Sequence, residues 1–531
     1  MFHILVTDDL GREGLALLDQ ATDVQYDVVK LPSRARLIEI IPAYDAIITR
    51  SGTPLDAETI RAARRLQIIG RAGVGLDNVD VDAATRQGIL VMNTPGANTL
   101  AATELTMALL LALCRRIPQA DASVRRGEWK RSKFMGIQLH QRTLGIIGLG
   151  RIGSRVATRA QTFGMTVLAY DPYIAEEIAE RLHVELVGEL DELLTRADVI
   201  TIHAPLTDET RGMIGAAQIA RMKPGALIVN CARGGIVDER ALYEGLVAGK
   251  LGGAALDVYS EEPPRAEHLR QLLALDNVVV SPHIGANTYD AQQEVARQIV
   301  TQVLEALRGV NFNNVVNLPF AEGLDYRAIQ PYMTLAEKIG ALQMQLIRGR
   351  IERVEITCQG EHIQKMIKPL TVALLKGLLY PILRDAVNYV NAPYLAAERG
   401  IVIAQAHHTS AEGYSNVITA RVSSAQETRV IGGALFLHTQ PRIVLLDDFH
   451  LDALPFGWAL VMHSRDVPGV MGSVGTLLGR HNINIAHWHM GRDGSGQHQL
   501  SFINIDTPAT EAILAELRAL PKIIEVRQVV L

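Results

Sequence analysis

Short apolar runs rich in β-forming residues alternate with helix-length segments through the first part of the chain. One series comprises HILVTD, VQYDVV, DAIITRS and LQIIGRAG, and a helix pattern, GREGLALLDQA, follows its first run. A second series begins at TLGIIGLGRIGSRVATRAQTFGMTVLAYDPY and continues through ADVITIHAPL, ALIVNCARG, GAALDVYS and NVVVSPHIG. Strands separated by helices of this length predict parallel sheets with helices on their faces. The pattern therefore predicts two α/β sheets.

The pattern changes at Asn317, where NLPFAEGLDYRAIQPYMTLAEKIG predicts a Pro- and Gly-punctuated crossing into a helix. Residues 351–455 mix the strand runs RVEITCQG, NVITARVSS and RIVLLDD with one apolar helix, LTVALLKGLLYPIL. Residues 456–531 follow the order strand, helix, strand, strand, helix, strand. We therefore expect an α/β protein with two Rossmann-like or flavodoxin-like parallel-sheet domains, an α+β intervening domain and a small ferredoxin-like domain.

Composition narrows the class of protein. The chain of 531 residues is too long for one core, and its 48% hydrophobic and 21% charged residues are typical of a soluble globular protein. A net charge of −5 gives no basic excess for a nucleic-acid partner. The three cysteines have neither metal-ligand spacing nor a disulfide framework, and the longest apolar run, LTMALLLALC, is too short to span a bilayer. We expect a cytoplasmic protein with no metal site and no membrane or nucleic-acid partner.

The segment GLGRIG supplies Gly148, Gly150 and Gly153 in the arrangement GxGxxG. A β-rich run precedes it, a helix pattern follows it, and a second strand run ends in Asp171, 18 residues after Gly153. The glycines let a pyrophosphate approach the backbone at a helix N-terminus, where free amides favour an anion. Asp171 would bind the ribose hydroxyls and repel a 2′-phosphate. The segment predicts a dinucleotide site that prefers NAD to NADP.

Three later segments supply groups for redox chemistry on an alcohol, which needs a base for the hydroxyl proton and a cation for a carboxylate or carbonyl. Arg233 in VNCARGGIVDE, Glu262 in LDVYSEEPP and His283 in SPHIGA each follow a strand-like run. Ligands in open α/β sheets bind beyond the carboxyl ends of the strands, so these side chains are expected to converge. A purely structural histidine is the alternative for His283.

The chain contains six motifs in this order: RAGVGLDNVD, NTPGANTLAATELT, LGIIGLGRIG, NCARGG, ALDVYSEEPP and SPHIGA. They resemble the motifs of the D-2-hydroxyacid dehydrogenase family, which occur in the same order. The resemblance implies that Arg233, Glu262 and His283 form the catalytic triad, with Glu261 as the competing acid. It also implies that His283 exchanges the hydroxyl proton and that Arg233 holds a carboxylate. Further cofactor positions implied by the family are Arg151, Ile152, Ala204, Cys231, Ala232, Asp257, Gly285 and Ala286.

The end of the chain resembles an ACT domain, a small amino-acid sensor, through DVPG (Asp466–Gly469) and NINI (Asn482–Ile485). A dehydrogenase of this family with a long insert and an ACT domain is similar to the branch that oxidises D-3-phosphoglycerate with NAD⁺ in the first step of L-serine synthesis. The resemblance implies serine feedback through Ser464, Asp466 and Asn484. For the small-molecule substrate it implies a set of binding residues: Arg50, Ser51, Arg71, Gly73, Val74, Gly75 and Asn98.

We expect four domains: a discontinuous substrate-binding domain (1–98 and 285–317), an NAD-binding Rossmann domain (99–284), an intervening domain (318–455) and an ACT regulatory domain (456–531). The apolar helix from Leu105 and the ACT unit predict a homodimer or homotetramer. Two other functions remain open at this point. One is NAD-dependent oxidation of a different 2-hydroxy acid, such as 2-hydroxyglutarate or glycerate; the other is a non-enzymatic, dinucleotide-sensing scaffold.

Overall fold

The computed structural model describes residues 1–318, 326–360, 363–408 and 414–531. The chain forms two compact units, one of residues 1–9, 16–93 and 299–531, the other of residues 10–15 and 94–298. Each of the four predicted segments carries one sheet. Part of the predicted crossing after Asn317 falls on residues 319–325, which lie outside the described residues.

The first sheet is parallel and has the order β2-β1-β3-β4-β5. Its strands are β1 (Phe2–Val6), β2 (Val24–Val28), β3 (Ala46–Thr49), β4 (Ile68–Arg71) and β5 (Leu90–Met92). The helices between them are α1 (Gly11–Asp19), α2 (Arg34–Ile40), α3 (Ala57–Ala62) and α4 (Val81–Arg86). This strand order is the flavodoxin-like one, as predicted. Because β1, β3 and β4 are adjacent and parallel, their carboxyl ends lie side by side.

The other unit contains a parallel sheet of the order β12-β11-β10-β9-β6-β7-β8. Its strands are β6 (Thr143–Ile147), β7 (Thr166–Tyr170), β8 (Glu185–Leu186), β9 (Val199–Ile202), β10 (Ala226–Asn230), β11 (Leu251–Leu256) and β12 (Val278–Val280). Its helices begin with α5 (Thr99–Arg115), α6 (Ile117–Arg125), α7 (Arg151–Thr162), α8 (Glu176–Arg181) and α9 (Leu190–Arg196). They continue with α10 (Ala216–Arg221), α11 (Glu239–Val247) and α12 (Glu267–Leu273), and α13 (Tyr289–Leu307) follows β12. The strands are apolar and buried because helices cover both faces.

A mixed sheet of the order β14-β13-β15-β16-β17-β18 follows, in which only β13 and β14 pair in parallel. Its elements are α14 (Tyr326–Leu346), β13 (Ile351–Gln359), α15 (Ile367–Leu383), α16 (Ala392–Glu398), β14 (Val402–His408), β15 (Val417–Ser424), β16 (Thr428–Phe436), β17 (Gln440–Leu446) and β18 (Phe449–Ala453). The sequence pattern predicted three of these strands and missed β14, β16 and β18. Pairing with neighbouring strands defines the missed strands in the structure.

The last sheet is antiparallel, with the order β20-β21-β19-β22. Its elements are β19 (Trp458–Arg465), α17 (Val470–Arg480), β20 (Ile485–Arg492), β21 (His498–Ile505), α18 (Glu511–Ala519) and β22 (Ile523–Val530). This is the predicted ferredoxin-like arrangement. Because side chains alternate along a strand, Leu460 and Met462 pack beneath the two helices, while Ala459 and Val461 join the core of the preceding α+β segment.

One stretch among the described residues, Gln364–Ala386, is long and apolar enough to cross a membrane by length and composition. Its most apolar window is 56% buried within the protein, and Leu370, Leu374 and Leu378 are fully buried core residues. A core helix has the same composition, so this signal is weak evidence for a membrane span.

Candidate active site

Three neighbouring strands of the seven-stranded sheet end at the residues singled out from the sequence. Arg233 follows β10, Glu262 follows β11 and His283 follows β12, and these strands are adjacent in the sheet. All three strands are parallel, so their carboxyl ends meet at one edge. The topology therefore gathers the three loops in one place.

His283 and Glu262 are in direct contact. Nδ1 of His283 lies 2.6 Å from Oε2 of Glu262. The other carboxylate oxygen, Oε1, accepts the Tyr259 amide at 3.1 Å. Since an ionised carboxylate only accepts, Nδ1 carries the proton in this pair and Nε2 of the neutral ring is the basic nitrogen. Glu261 instead accepts the amide of Ala266, at 3.1 Å.

The segment that carries His283 is fixed by a fully buried carboxylate, Asp257. It accepts hydrogen bonds from the Ser281 hydroxyl (2.6 Å), the Ile284 amide (2.8 Å) and the Gly285 amide (2.9 Å). The His283 amide donates to the Asp257 carbonyl at 2.9 Å. These bonds hold His283 at a φ of 51°, a left-handed conformation that is uncommon outside glycine.

The turn that carries Arg233 is held by Asn230, the last residue of β10. The Asn230 amide group donates to the Arg233 carbonyl at 2.9 Å and accepts the Ala232 amide at 3.0 Å. Gly234 lies so close to the next loop that an added Cβ would be 1.8 Å from the Tyr259 carbonyl oxygen. Only glycine lets the Arg233 turn rest directly on the Glu262 loop.

The glycine-rich turn has the geometry that a dinucleotide requires. A Cβ on Gly148 would lie 2.7 Å from the His203 carbonyl oxygen, and one on Gly153 would lie 2.1 Å from the Gly148 carbonyl oxygen. Gly150 is the N-cap of α7 and provides no side-chain cap, and a Cβ there would meet no atom of the described residues within 4 Å. Asp171, directly after β7, accepts the Leu149 amide at 2.9 Å. Uncapped amides, open space and a carboxylate at the next strand end fit a pyrophosphate and a ribose.

The remaining predicted cofactor residues surround the same edge of the sheet. Arg151 and Ile152 form the first turn of α7, Ala204 follows β9, and Cys231 and Ala232 follow β10. Burial raises the pKa of the Cys231 thiol to about 12, so this thiol stays protonated and uncharged. Gly285 and Ala286 come directly after the His283 segment.

The predicted substrate residues lie in both units. Asn98 belongs to the same unit as His283, and its side-chain oxygen is buried with no hydrogen-bond partner among the described residues. In the other unit, Arg50 and Ser51 follow β3, and Arg71 ends the adjacent β4. The loop after Arg71 contains Gly73, Val74 and Gly75, and a Cβ on Gly73 would lie 1.6 Å from the Arg71 guanidinium.

The three predicted effector residues lie at the strand ends of the last domain. Ser464 is fully buried, and its hydroxyl accepts the Gln499 side chain at 3.1 Å. Asp466 pairs with Arg492 at 2.7 Å. The Asn484 amide donates to Asp506 at 2.8 Å. Each therefore has a protein partner, and a ligand at Asp466 or Asn484 would compete with it.

Within the described ranges, no group of three or more His, Cys, Asp or Glu side chains could hold a metal ion. The rings of His487 and His489 stack with centroids 6.0 Å apart.

Known protein families and relatives match this chain along nearly its whole length. Residues 107–285 match the D-isomer specific 2-hydroxyacid dehydrogenase NAD-binding domain, residues 328–447 match the D-3-phosphoglycerate dehydrogenase intervening domain, and residues 458–522 match the ACT domain. D-3-phosphoglycerate dehydrogenase of Archaeoglobus fulgidus is 45% identical and covers 98% of this chain and 98% of its own. The chain belongs to the D-3-phosphoglycerate dehydrogenase family. The Bacillus subtilis member of that family is 38% identical, over 99% of both chains.

Two solved structures similar to this D-3-phosphoglycerate dehydrogenase family member each match somewhat more than half of its chain. D-lactate dehydrogenase from Aquifex aeolicus, in complex with NAD and lactic acid, is 29% identical with a TM-score of 0.54, and the match covers 59% of this chain and 98% of that one. The TT0316 protein from Thermus thermophilus is 36% identical with a TM-score of 0.55, over 59% and 99% of the two chains. The chain is an NAD-dependent oxidoreductase with an NAD-binding domain of the 2-hydroxyacid dehydrogenase type.

Two carboxylates next to the candidate residues of this family member were not singled out from the sequence. Glu239 is buried, and it accepts the Ser260 amide at 2.7 Å together with the Ser260 hydroxyl. Asp8 is buried beside Arg50. An acidic residue in a first helical turn, or after a strand, is usually a solvated charge, so the sequence held no signal for either contact.

Proposed function

We propose that this protein oxidises D-3-phosphoglycerate to 3-phosphohydroxypyruvate with NAD⁺, the first step of L-serine biosynthesis. The observation that carries the proposal is the 2.6 Å contact between His283 and Glu262 at the edge of an NAD-binding sheet. Relatives named D-3-phosphoglycerate dehydrogenase match the chain almost from end to end, which supports this substrate among the 2-hydroxy acids.

In the proposed site the turn of Gly148, Gly150 and Gly153 holds the pyrophosphate of the cofactor at the start of α7. Asp171 accepts hydrogen bonds from the adenosine ribose and disfavours the extra phosphate of NADP by charge repulsion. NAD⁺, when bound, accepts the hydride that leaves C2 of the substrate.

We assign the proton transfer to His283. Its Nε2 takes the proton of the C2 hydroxyl, and the positive charge that develops on the ring is stabilised by Glu262 at Nδ1. Glu262 also fixes the ring orientation and the tautomer, because its carboxylate accepts the proton on Nδ1. Arg233 holds the substrate carboxylate through a planar, bidentate contact. In the reverse reaction His283 returns the proton to the carbonyl oxygen.

The phosphate and carboxylate of the substrate require additional donors. We propose Arg50, Ser51 and Arg71 as phosphate and carboxylate ligands, with the backbone amides of the loop that contains Gly73, Val74 and Gly75. Asn98 contributes its side chain, whose buried oxygen has no hydrogen-bond partner in the part of the chain that the structure describes.

We further propose that L-serine regulates the enzyme through the ACT domain, with Asp466 and Asn484 as ligands of the amino acid. Both side chains are polar and lie at strand ends, and each would exchange a protein partner for the ligand. Ser464, being fully buried, would act through Gln499. We also propose that the protein works in the cytoplasm as a homodimer or homotetramer.

The test is the initial rate of NADH formation from D-3-phosphoglycerate and NAD⁺, with and without L-serine. Turnover that serine suppresses supports both the substrate and the sensor. Turnover that serine leaves unchanged removes the regulatory proposal alone. If 3-phosphoglycerate is inert while hydroxypyruvate or 2-oxoglutarate is reduced with NADH, the substrate assignment is wrong and the oxidoreductase chemistry stands.

A further inference from the structure

A single buried carboxylate organises the turn that follows β3. Oδ2 of Asp8, just past the end of β1, accepts the Arg50 amide at 3.1 Å. The same oxygen accepts the hydroxyl groups of Thr49 at 3.1 Å and Thr53 at 2.9 Å. Asp8 is only 9% exposed. Hydrogen bonds to an ionised, buried acceptor are stronger than neutral ones, so Asp8 constrains the backbone from Thr49 to Thr53.

The turn is packed against the carboxylate. A Cβ on Gly52 would lie 2.8 Å from Oδ1 of Asp8 and 2.6 Å from a methyl carbon of Leu31. The Asn78 amide donates to the carbonyls of Arg50 (2.7 Å) and Thr53 (2.8 Å). Asn78 thus binds the carbonyls of the turn and Asp8 binds its amide and hydroxyl groups.

The Arg50 side chain, next to this turn, is partly desolvated. Burial lowers the pKa of Arg50, while the charges of Asp8 and Asp9 raise it. One guanidinium nitrogen of Arg50 donates to the Asp9 carbonyl at 3.2 Å. Asp8 therefore holds the backbone of Arg50 and also supplies negative charge near its cationic group.

We propose that Asp8 is a positioning residue for the phosphate end of the substrate. It fixes the Arg50–Ser51 turn in the conformation that presents the Arg50 guanidinium and the Ser51 hydroxyl to the phosphate. The inference rests on the proposed reaction, in which these two residues are phosphate ligands. A fixed turn lowers the entropic cost of ordering Arg50 on binding, so Asp8 acts on substrate affinity and leaves proton transfer unchanged.

The competing explanation is that Asp8 only stabilises the sheet. Asp45 provides a matched control because it is a similarly buried aspartate, 5% exposed, at the opposite end of the same strands. It accepts the His3 amide at 2.8 Å and the Arg65 guanidinium at 2.9 Å. Loss of its charge should weaken the domain without moving the Arg50 turn.

The experiment measures steady-state kinetics of 3-phosphoglycerate oxidation by the full-length protein, together with NAD⁺ binding and the thermal midpoint. Asp8→Asn should raise KM for 3-phosphoglycerate by about tenfold, with kcat within about twofold of the unchanged protein and NAD⁺ affinity retained. Asp45→Asn should lower the thermal midpoint and leave KM unchanged. Thr53→Val removes one donor to Asp8 and should raise KM by about threefold.

An unchanged KM in Asp8→Asn, or an equal rise in KM in Asp45→Asn, would overturn the role of Asp8 while the proposed reaction stands. If Asp8→Asn does not fold, Thr53→Val decides the question, and a KM equal to that of the unchanged protein rejects the inference. Absence of 3-phosphoglycerate oxidation by the unchanged protein would instead reject the proposed function and, with it, this role.

Discussion

The ring of His283 is oriented by one carboxylate, and that carboxylate is held in turn by its own loop. Glu262 uses one oxygen for His283 and the other for the Tyr259 amide. A proton acceptor works only in one tautomer and one orientation, so both bonds of Glu262 contribute to the proposed chemistry.

Replacing Glu262 with glutamine should therefore lower kcat by about a hundredfold or more, because an amide cannot stabilise the imidazolium. Binding of NAD⁺ should be unchanged. The matched control is Glu261→Gln, which alters the neighbouring carboxyl, an acceptor of the Ala266 amide at 3.1 Å. Equal losses in the two variants, measured as kcat with saturating substrates, would contradict the assignment of Glu262.

His203 gives a prediction about pH. Burial lowers its pKa from 6.5 to about 4. Between these values the unfolded chain binds a proton that the folded ring excludes, so folding stability decreases as the pH falls from about 6.5 towards 4. Because His203 keeps some accessible surface, the shift contributes less than its full value. We expect the free energy of unfolding at about pH 5 to be roughly 1–2 kcal/mol lower than at neutral pH.

The measurement compares thermal midpoints at about pH 7.5 and about pH 5 for the unchanged protein and His203→Asn. The variant should lose less stability on acidification. His140→Asn, at an exposed histidine, should behave like the unchanged protein. Identical acid sensitivity of the unchanged protein and His203→Asn would refute the prediction.

Between elements, α14 and α15 of the intervening domain cross with their backbones close together. A Cβ on Gly340 would lie 2.1 Å from the Leu374 carbonyl oxygen, and one on Gly377 would lie 2.0 Å from the Glu337 carbonyl oxygen. Beside the crossing, Lys376 pairs with Glu337 at 3.1 Å. Glycine costs helix stability, so its presence in both helices is explained by the approach of the two backbones.

Gly377→Ala should destabilise the protein by about 2 kcal/mol or more, although alanine is the better helix former, because the backbones must separate. The control is Gly475→Ala in α17, where an added Cβ lies more than 4 Å from every other described residue outside the local helix. That change should be neutral or stabilise by about 0.5–1 kcal/mol. Chemical denaturation of the full chain measures both, and the same sign for the two variants would disprove the explanation.

At the scale of the molecule, the intervening and ACT domains share a hydrophobic core. Ala459, Val461, Phe502 and Val529 of the ACT sheet belong to the same buried cluster as α14, α15 and the six-stranded sheet. Additional bonds join the domains, including Arg348 to Glu525 at 2.7 Å. A shared core means that neither domain buries its apolar surface alone.

A chain truncated after Leu454 should therefore aggregate or bind a hydrophobic dye. Its thermal midpoint should also be lower than that of the full-length protein. Full-length Val461→Asp should show the same defect, because it places a charge in the shared core. Ile524→Asp, at a residue that is 51% exposed, is the control. A truncated chain that is monodisperse and has an unchanged thermal midpoint would contradict the shared core. Because of this shared core, serine binding is best measured on the full chain.

The sequence by itself determined the features that depend on neighbours along the chain. Alternation of apolar runs and helix-length segments predicted the parallel sheets, since periodicity is a local property. The glycine spacing of GLGRIG, with Asp171 after the next strand, predicted the dinucleotide turn. The final strand–helix order predicted the ferredoxin-like domain, and the family resemblance predicted His283, Glu262 and Arg233 as site residues.

Tertiary structure alone decided which distant residues meet. Asp8 reaches Thr53 because β1 and β3 are adjacent in the sheet, and that adjacency is a property of strand order that local pattern does not encode. The 2.6 Å contact between His283 and Glu262 forms because β11 and β12 are adjacent, so that the loops after them meet. The apolar outer face of β19 likewise acquires its partner only when the ACT sheet packs on the intervening domain. Contacts between distant residues depend on the whole fold, whereas periodicity and turn residues act locally.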